Sequence, residues 1–340
     1  MQILGIETSC DECSAAVVTD GKFLRSNIIA SQIEIHKPFM GVVPEIASRT
    51  HVKWISSVVK KALAEAGLSL DDIHGIAVTN RPGLSGSLLT GLSFAKGLSF
   101  ASGKPFVAVD HIFAHIYASH LENEINYPYL GLLVSGGHTI IAIIKSYEDM
   151  QILGTTIDDA CGEAFDKVAK FYNLGYPGGV VIDNLAKQGD PNAFSFPDPS
   201  LHKGEHLYDI SYSGLKTAVI NQLDQFHNKG YEKTSENIAA SFQKTAIDML
   251  LKRLLKAIEN TGIKTVVTGG GVAANSYLRQ ALSELSEVKG ITVYSPSLKL
   301  CGDNGAMIAG LGYHYLKNNI KSGLETTVLS RVPVFRKTYP

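Results

Sequence analysis

Apolar positions along this chain fall into two periodicities. Runs such as ILGI from Ile3, IAVT from Ile76, YLGLLV from Tyr129 and TVVT from Thr265 are short and nearly continuous, and small or polar turn residues close them; they predict buried strands. Elsewhere the period lengthens. Ile247, Leu250, Leu251, Leu254, Leu255 and Ile258 recur every three or four residues and predict one helix stripe, with Gly262 placed to end it. The segment ISSVVKKALAEAGLSLDDI from Ile55 predicts a helix that ends in the same manner. Alternating strands and helices make the fold class α/β.

The predicted elements occur twice. ILGIETSCDECSAAVV, from Ile3, and YLGLLVSGGHTIIAII, from Tyr129, superpose through Ser9 and Ser135 at an offset of 126; each reads as strand, small-residue turn, strand. GIAVTNRPGLSGS and TVVTGGGVAANS superpose through Thr79 and Thr268 at an offset of 189, each as strand, glycine loop, helix. The offset grows by 63, so the second copy carries an insertion, which the Gly-, Pro- and Asp-rich stretch from Thr155 to Ser213 accommodates. The expected domains are residues 1–125 and 126–340, with the insertion around 155–213 in the second. A duplicated unit opening on a hairpin resembles the actin, Hsp70 and sugar-kinase (ASKHA) superfamily: two RNase H-like lobes that clamp a nucleotide.

Composition narrows the function classes. With 340 residues, 45% hydrophobic and 19% charged, the chain can bury large cores and does not have the composition of a disordered segment. Its 31 basic and 32 acidic residues create no broad field for nucleic acid, so RNA contact would need a local patch or a helper protein. No stretch reaches about 18 uninterrupted apolar residues, and MQILGIETSC lacks the pattern of an export signal, so a soluble, cytoplasmic protein is expected. Cys10, Cys13, Cys161 and Cys301 are too few for a disulfide framework. The CxxC formed by Cys10 and Cys13 has no second pair, which favours small buried residues over zinc or redox chemistry.

Candidate chemistry centres on HIFAHIYASH. His111 and His115 stand four apart, one helical turn, so two imidazoles can converge on one ion, although histidines in apolar segments also serve structure alone. Ile112 occupies the glutamate position of HExxH, which removes the general base of a zinc peptidase. Asp303 in CGDNGAMIAG is the candidate third ligand; its alternative role is to cap the helix that begins near Ala306. Two imidazoles and a carboxylate leave coordination positions open and suit iron(II) or zinc. SGGH (Ser135 to His138) and TGGGVAAN (Thr268 to Asn275) are glycine loops at repeat-related positions whose amides can cradle a phosphate; neither is a P-loop. Asp158, Asp159, Glu163, Asp166 and Asp183 either cap helices or, for Asp166 and Asp183, hold ribose hydroxyls. Asp11 and Glu12 in the first turn either orient an attacking group or cap the turn.

Taken together, GIETSCDE, GVVPEIASRTH, TNRPGLSGSLLTGLSFAKGLS, DHIFAHIYASH, LLVSGGHT, DDACGEAFDKVAK, GYPGG, SYSGLKTA, TGGGVAAN and CGDNGAMIA closely resemble the TsaD family in its bacterial form, nearly from end to end. The resemblance implies a tRNA N6-adenosine threonylcarbamoyltransferase. Such an enzyme moves the threonylcarbamoyl group of threonylcarbamoyl-AMP to N6 of the adenosine 3′ of the anticodon in tRNAs reading ANN codons. It implies one divalent metal, iron(II) first and zinc second, on His111, His115 and Asp303. It also assigns the adenylate to Val134, Ser135, Gly136, Gly137, His138, Asp166, Gly179, Asp183 and Asn275. Asp11 and Glu12 become the candidate catalytic pair. The implied partners are tRNA, a TsaB heterodimer subunit and TsaE, with no membrane. Cys13, Phe39, Met40 and Thr50 depart from residues common in the family and bear on the first turn and the tRNA-facing or partner surface. Metallopeptidase and small-molecule kinase are the rival activities; a non-catalytic scaffold would be expected to lose the His, His and Asp set.

Overall fold

Both hairpins form where the apolar runs place them in the computed structural model, which describes residues 1–199 and 204–333. In the first, β1 (Gln2–Glu7) and β2 (Glu12–Thr19) pair antiparallel, and β3 (Phe23–Ser31) lies outside β2. The chain continues through α1 (Ile33–His36) and α2 (Pro44–Glu65) to β4 (Gly75–Arg81), α3 (Ser85–Ser102), β5 (Phe106–Asp110) and α4 (His111–Tyr117). β4 pairs parallel to β1 and β5 parallel to β4, giving the order β3-β2-β1-β4-β5. Leu4, Ile6, Val17, Val58 and Leu92 belong to the core that α2 and α3 build on one face of this sheet.

The second copy repeats the plan. β6 (Tyr129–Val134), β7 (Thr139–Ile144) and β8 (Met150–Thr155) are followed by α5 (Cys161–Phe171), α6 (Gly178–Ala186), α7 (Tyr212–Asn221) and α8 (Ser235–Thr261). Then come β9 (Thr265–Gly269), α9 (Ser276–Lys289) and β10 (Thr292–Tyr294). The order β10-β9-β6-β7-β8 is the first sheet's order read from the other edge. Helices α5 and α6 lie within the expected insertion, α7 begins at its end, and residues 200–203 of it lie outside the described residues. The stripe around Leu250 and Leu254 is the buried side of α8, and Gly262 ends that helix in the left-handed region at φ 71°.

One boundary is corrected. The expectation assigned residues 126–340 to a single second domain, but the compact units are Met1–Ile125 with Pro296–Val332, and Asn126–Ser295. The returning segment holds α10 (Leu298–Cys301) and α11 (Gly305–Lys317), and α11 packs against β1, β2 and β4. The reason lies in its surface: Ala306, Met307, Ile308, Ala309 and Leu311 are all buried, so the helix needs cover on most sides. Two glycines let it approach. A Cβ on Gly5 would stand 2.2 Å from the Gly305 carbonyl oxygen, and one on Gly305 would stand 2.6 Å from the Ala16 nitrogen. Because neighbouring strand residues point to opposite faces, α11 covers the face opposite Leu4 and Ile6. Among the described residues no helix is long and apolar enough to cross a membrane.

Candidate active site

The first unit assembles its polar centre from β1, α4 and the turn before α11. The Asp110 carboxylate caps α4, accepting from the Ile112 amide at 2.9 Å and the Phe113 amide at 3.3 Å. Starting the helix there puts His111 in its first turn and His115 directly above it, with ring centroids 4.4 Å apart and planes at 76°. Asp303 does not cap α11. Asn304 does, its side chain accepting from the Met307 amide at 3.0 Å, and this leaves the Asp303 carboxylate to the imidazoles. Its Oδ1 lies 3.0 Å from His115 Nε2 and 3.7 Å from His111 Nε2. His111, His115 and Asp303 are the one group of three potential metal ligands among the described residues, with ligand atoms within 4.8 Å of one another.

This donor set fits a divalent transition metal. Ligands about 2.1 Å from a tetrahedral ion stand about 3.4 Å apart, close to the spacings seen here, and two imidazoles with one carboxylate leave positions open. The electrostatics agree. Burial pushes the Asp303 carboxyl up, but His111 and His115 outweigh it and hold it well below the usual carboxylate range. Burial also opposes charge on His111, yet Asp303 and Glu7 raise its pKa to about 9, while burial and His111 lower that of His115. The His115 ring is completely buried, and its Nδ1 has no hydrogen-bond partner among the described residues.

Residues not singled out in the sequence complete this centre. Glu7, fully buried at the end of β1, accepts from the Ser9 amide at 2.5 Å, from the Thr79 hydroxyl, and from His111 Nδ1 at 3.2 Å. Burial raises its carboxyl but His111 more than compensates, leaving it below its ordinary value. Ser9 Oγ lies 3.3 Å from His111 Nδ1 and donates to Asp303 Oδ2 at 3.4 Å. The available signal was an acid closing the otherwise apolar run ILGIE.

Asp11 and Glu12 lie in the first hairpin turn and at the start of β2. The turn is fastened from three elements: Leu84 donates to the Ser9 carbonyl at 2.7 Å, His51 Nε2 to the Cys10 carbonyl at 2.9 Å, and the Gln32 amide to the Asp11 carbonyl at 3.2 Å. Burial, then the neighbouring Asp11 and Asp303, push the Glu12 carboxyl well above its ordinary value, and Asp11 lies within hydrogen-bonding reach of it. None of the four cysteines, all among the described residues, is in a disulfide; Cys13 is buried in β2, where burial pushes its thiol to about 12.

The second unit links its candidate residues through one run of contacts. Val134 ends β6, and Ser135 to His138 form a tight turn, with Ser135 N donating to the His138 carbonyl at 2.8 Å and His138 N to Ser135 Oγ at 3.1 Å. Gly136 and Gly137 are exposed, and added Cβ atoms there would meet nothing within 4 Å, so the turn is open to a ligand. The start of α5 abuts this turn through Gly162, whose amide donates to the Ser135 carbonyl at 3.2 Å. Gly270, at φ 90°, approaches from β9 so closely that a Cβ would stand 2.4 Å from the Val134 carbonyl oxygen. One helical turn beyond Gly162, Asp166 accepts from the Gly178 amide at 2.7 Å and fixes the start of α6, beside which Gly179 is open. Farther along α6, Asp183 accepts from Asn275 Nδ2 at 3.1 Å and Ser276 Oγ at 2.7 Å, and Asn275 caps α9. Asp158 and Asp159 are placed otherwise. Asp158 accepts from the Ser211 hydroxyl and the Tyr212 and Ser213 amides, and Asp159 pairs with Lys167 and Lys216, each at 2.6 Å.

Comparison with known proteins identifies the family. Residues 23–310 match the family model described as TsaD: tRNA N6-adenosine threonylcarbamoyltransferase. A protein of that name from Treponema denticola is 64% identical over 337 residues, spanning 99% of both chains. One from Borrelia garinii subsp. bavariensis is 53% identical over 340 residues, spanning 100% of this chain and 99% of the other. Among solved structures, full-length HypF in its phosphate- and nucleotide-bound form aligns with 94% of this chain and 56% of its own, at TM-score 0.62 and 16% identity. The ROK hexokinase of Thermus thermophilus aligns over 94% of this chain and 99% of its own, at TM-score 0.50 and 14% identity. At those identities the likeness establishes the ASKHA-type fold alone. With its motifs, its duplicated fold and these relatives in agreement, the chain belongs to the TsaD family of tRNA N6-adenosine threonylcarbamoyltransferases.

Proposed function

We propose that this tRNA N6-adenosine threonylcarbamoyltransferase takes its acyl group from threonylcarbamoyl-AMP, using one divalent ion, iron(II) or else zinc, on His111, His115 and Asp303. The observation that carries this reading is the convergence of nitrogens from two buried imidazoles and an oxygen from one half-buried carboxylate. An ion held there supplies positive charge for oxygens of the donor. A peptidase reading has no support, because the position of its glutamate is taken by Ile112, which is completely buried.

The donor is a mixed anhydride, already activated. N6 of adenine is a weak nucleophile because its lone pair is shared with the ring, so orientation carries much of the catalysis, up to about 7–11 kcal/mol in favourable cases. Val134, the open Ser135–His138 turn and Gly179 bind the adenylate phosphate and base, while Asp166, Asp183 and Asn275 fix its sugar. N6 attacks the carbamoyl carbon, the bond from that carbon to the phosphate oxygen breaks, and AMP departs. The amine proton passes to the Asp11–Glu12 pair, where burial and the neighbouring carboxylates push the Glu12 carboxyl well above its ordinary value and so strengthen its affinity for a proton. The near-balance of 31 basic and 32 acidic residues supports productive tRNA binding with helper proteins, a TsaB heterodimer subunit and TsaE, in the cytoplasm.

The test uses the chain with its partner subunits, tRNA and threonylcarbamoyl-AMP, and reads modified nucleoside by mass spectrometry. Asp183→Ala is expected to raise the donor KM about tenfold or more, with metal content unchanged. A wild-type donor KM in both Asp183→Ala and Asn275→Ala would contradict the adenylate assignment.

A further inference from the structure

The two imidazoles of the centre are not held alike. Both present Nε2 to Asp303, but among the described residues only His111 has partners on its other nitrogen: Glu7 Oε2 at 3.2 Å and Ser9 Oγ at 3.3 Å from His111 Nδ1. The corresponding Nδ1 of His115 has none. Glu7 cannot swing freely, because its Oε1 accepts from the Ser9 amide and its Oε2 from the Thr79 hydroxyl. These donors come from just beyond β1 and from its parallel neighbour β4, so the carboxylate plane is fixed by the sheet. A charged carboxylate buried with no access to water is costly unless every oxygen is used, and here both are.

We infer that Glu7 is a positioning residue of the metal centre, holding the His111 proton on Nδ1 so that the Nε2 lone pair faces the ion beside Asp303. The inference rests on the metal reading proposed above. Thr79 and the Ser9 amide act one step farther out by fixing Glu7. His111 is thus oriented by a hydrogen-bond chain from the sheet, whereas His115 is held by Asp303 and by packing, and the two should respond differently when Glu7 is changed.

Zinc titration of the purified full-length chain against a chromophoric chelator tests this, together with nitrogen-15 NMR of its histidine rings. Glu7→Gln is expected to weaken zinc binding about 10- to 100-fold while keeping one site per chain, and to abolish the downfield Nδ1 proton signal of His111. Thr79→Val, which keeps the carboxylate, should give a smaller loss of about three- to tenfold and serves if Glu7→Gln does not fold. Wild-type zinc affinity with an unchanged His111 signal in either folded variant would overturn the inference. The underlying site reading fails separately: if Asp303→Asn and His115→Ala also bind zinc like wild type, the ion is not at this centre and both readings fall.

Discussion

Asp303 and Asn304 are adjacent, polar and set at a helix start, yet only Asn304 caps it. Sequence spacing offers Asp303 as that cap, and the structure gives the role to its neighbour, because an N-cap is decided by backbone direction. His111 and His115 were legible, since four-residue spacing fixes them on one helix face. Glu7 was not: its partners Thr79 and His111 lie 72 and 104 residues away, and no local period links them. Asp159 was read as a helix-entrance acid and instead carries two ammonium groups. Burial pushes its carboxyl up, but Lys167 and Lys216 outweigh that and hold it below its ordinary value. A depressed folded pKa stabilises above the unfolded value near 4, and the contribution disappears as pH falls through the folded one. Because the lysines are partly exposed, the effect is modest. Asp159→Asn should be less stable than wild type by about 0.5–1 kcal/mol at pH 7, with the gap closing below about pH 4. Urea midpoints at the two pH values check this, and a gap independent of pH would contradict it.

Hairpins and strand–loop–helix pairs were legible because a repeat at a fixed offset marks the same element twice. The destination of α11 was not. Its apolar surface says that it must be covered, while the partner sheet is set by glycines nearly 300 residues apart, Gly5 and Gly305. Gly5→Ala should therefore cost about 1–3 kcal/mol, since the added methyl meets helix backbone rather than a movable side chain. Gly97→Ala, inside α3 with nothing within 4 Å, should instead stabilise by about 0.5–1 kcal/mol. Denaturant unfolding of the two variants compares them directly; equal effects would contradict the packing described for α11.

For the molecule as a whole, one sheet order used twice gives each unit a hairpin turn, and the two turns have diverged in chemistry. The first unit's turn carries acids and lies near buried histidines and Asp303; the second unit's turn carries exposed glycine amides. Neither turn has a P-loop sequence, and the fold is shared with sugar kinases, so activity was legible from family motifs and the donor set rather than from architecture. The net charge of −1 creates no broad field for tRNA. The direct test is the yield of N6-threonylcarbamoyladenosine, by nucleoside mass spectrometry, when tRNA, threonylcarbamoyl-AMP and the partner subunits are incubated with wild type or with Asp303→Asn. The account predicts that the folded variant holds no ion and that its yield falls about a hundredfold or more. A metal-free Asp303→Asn protein that modifies tRNA as well as wild type would contradict it.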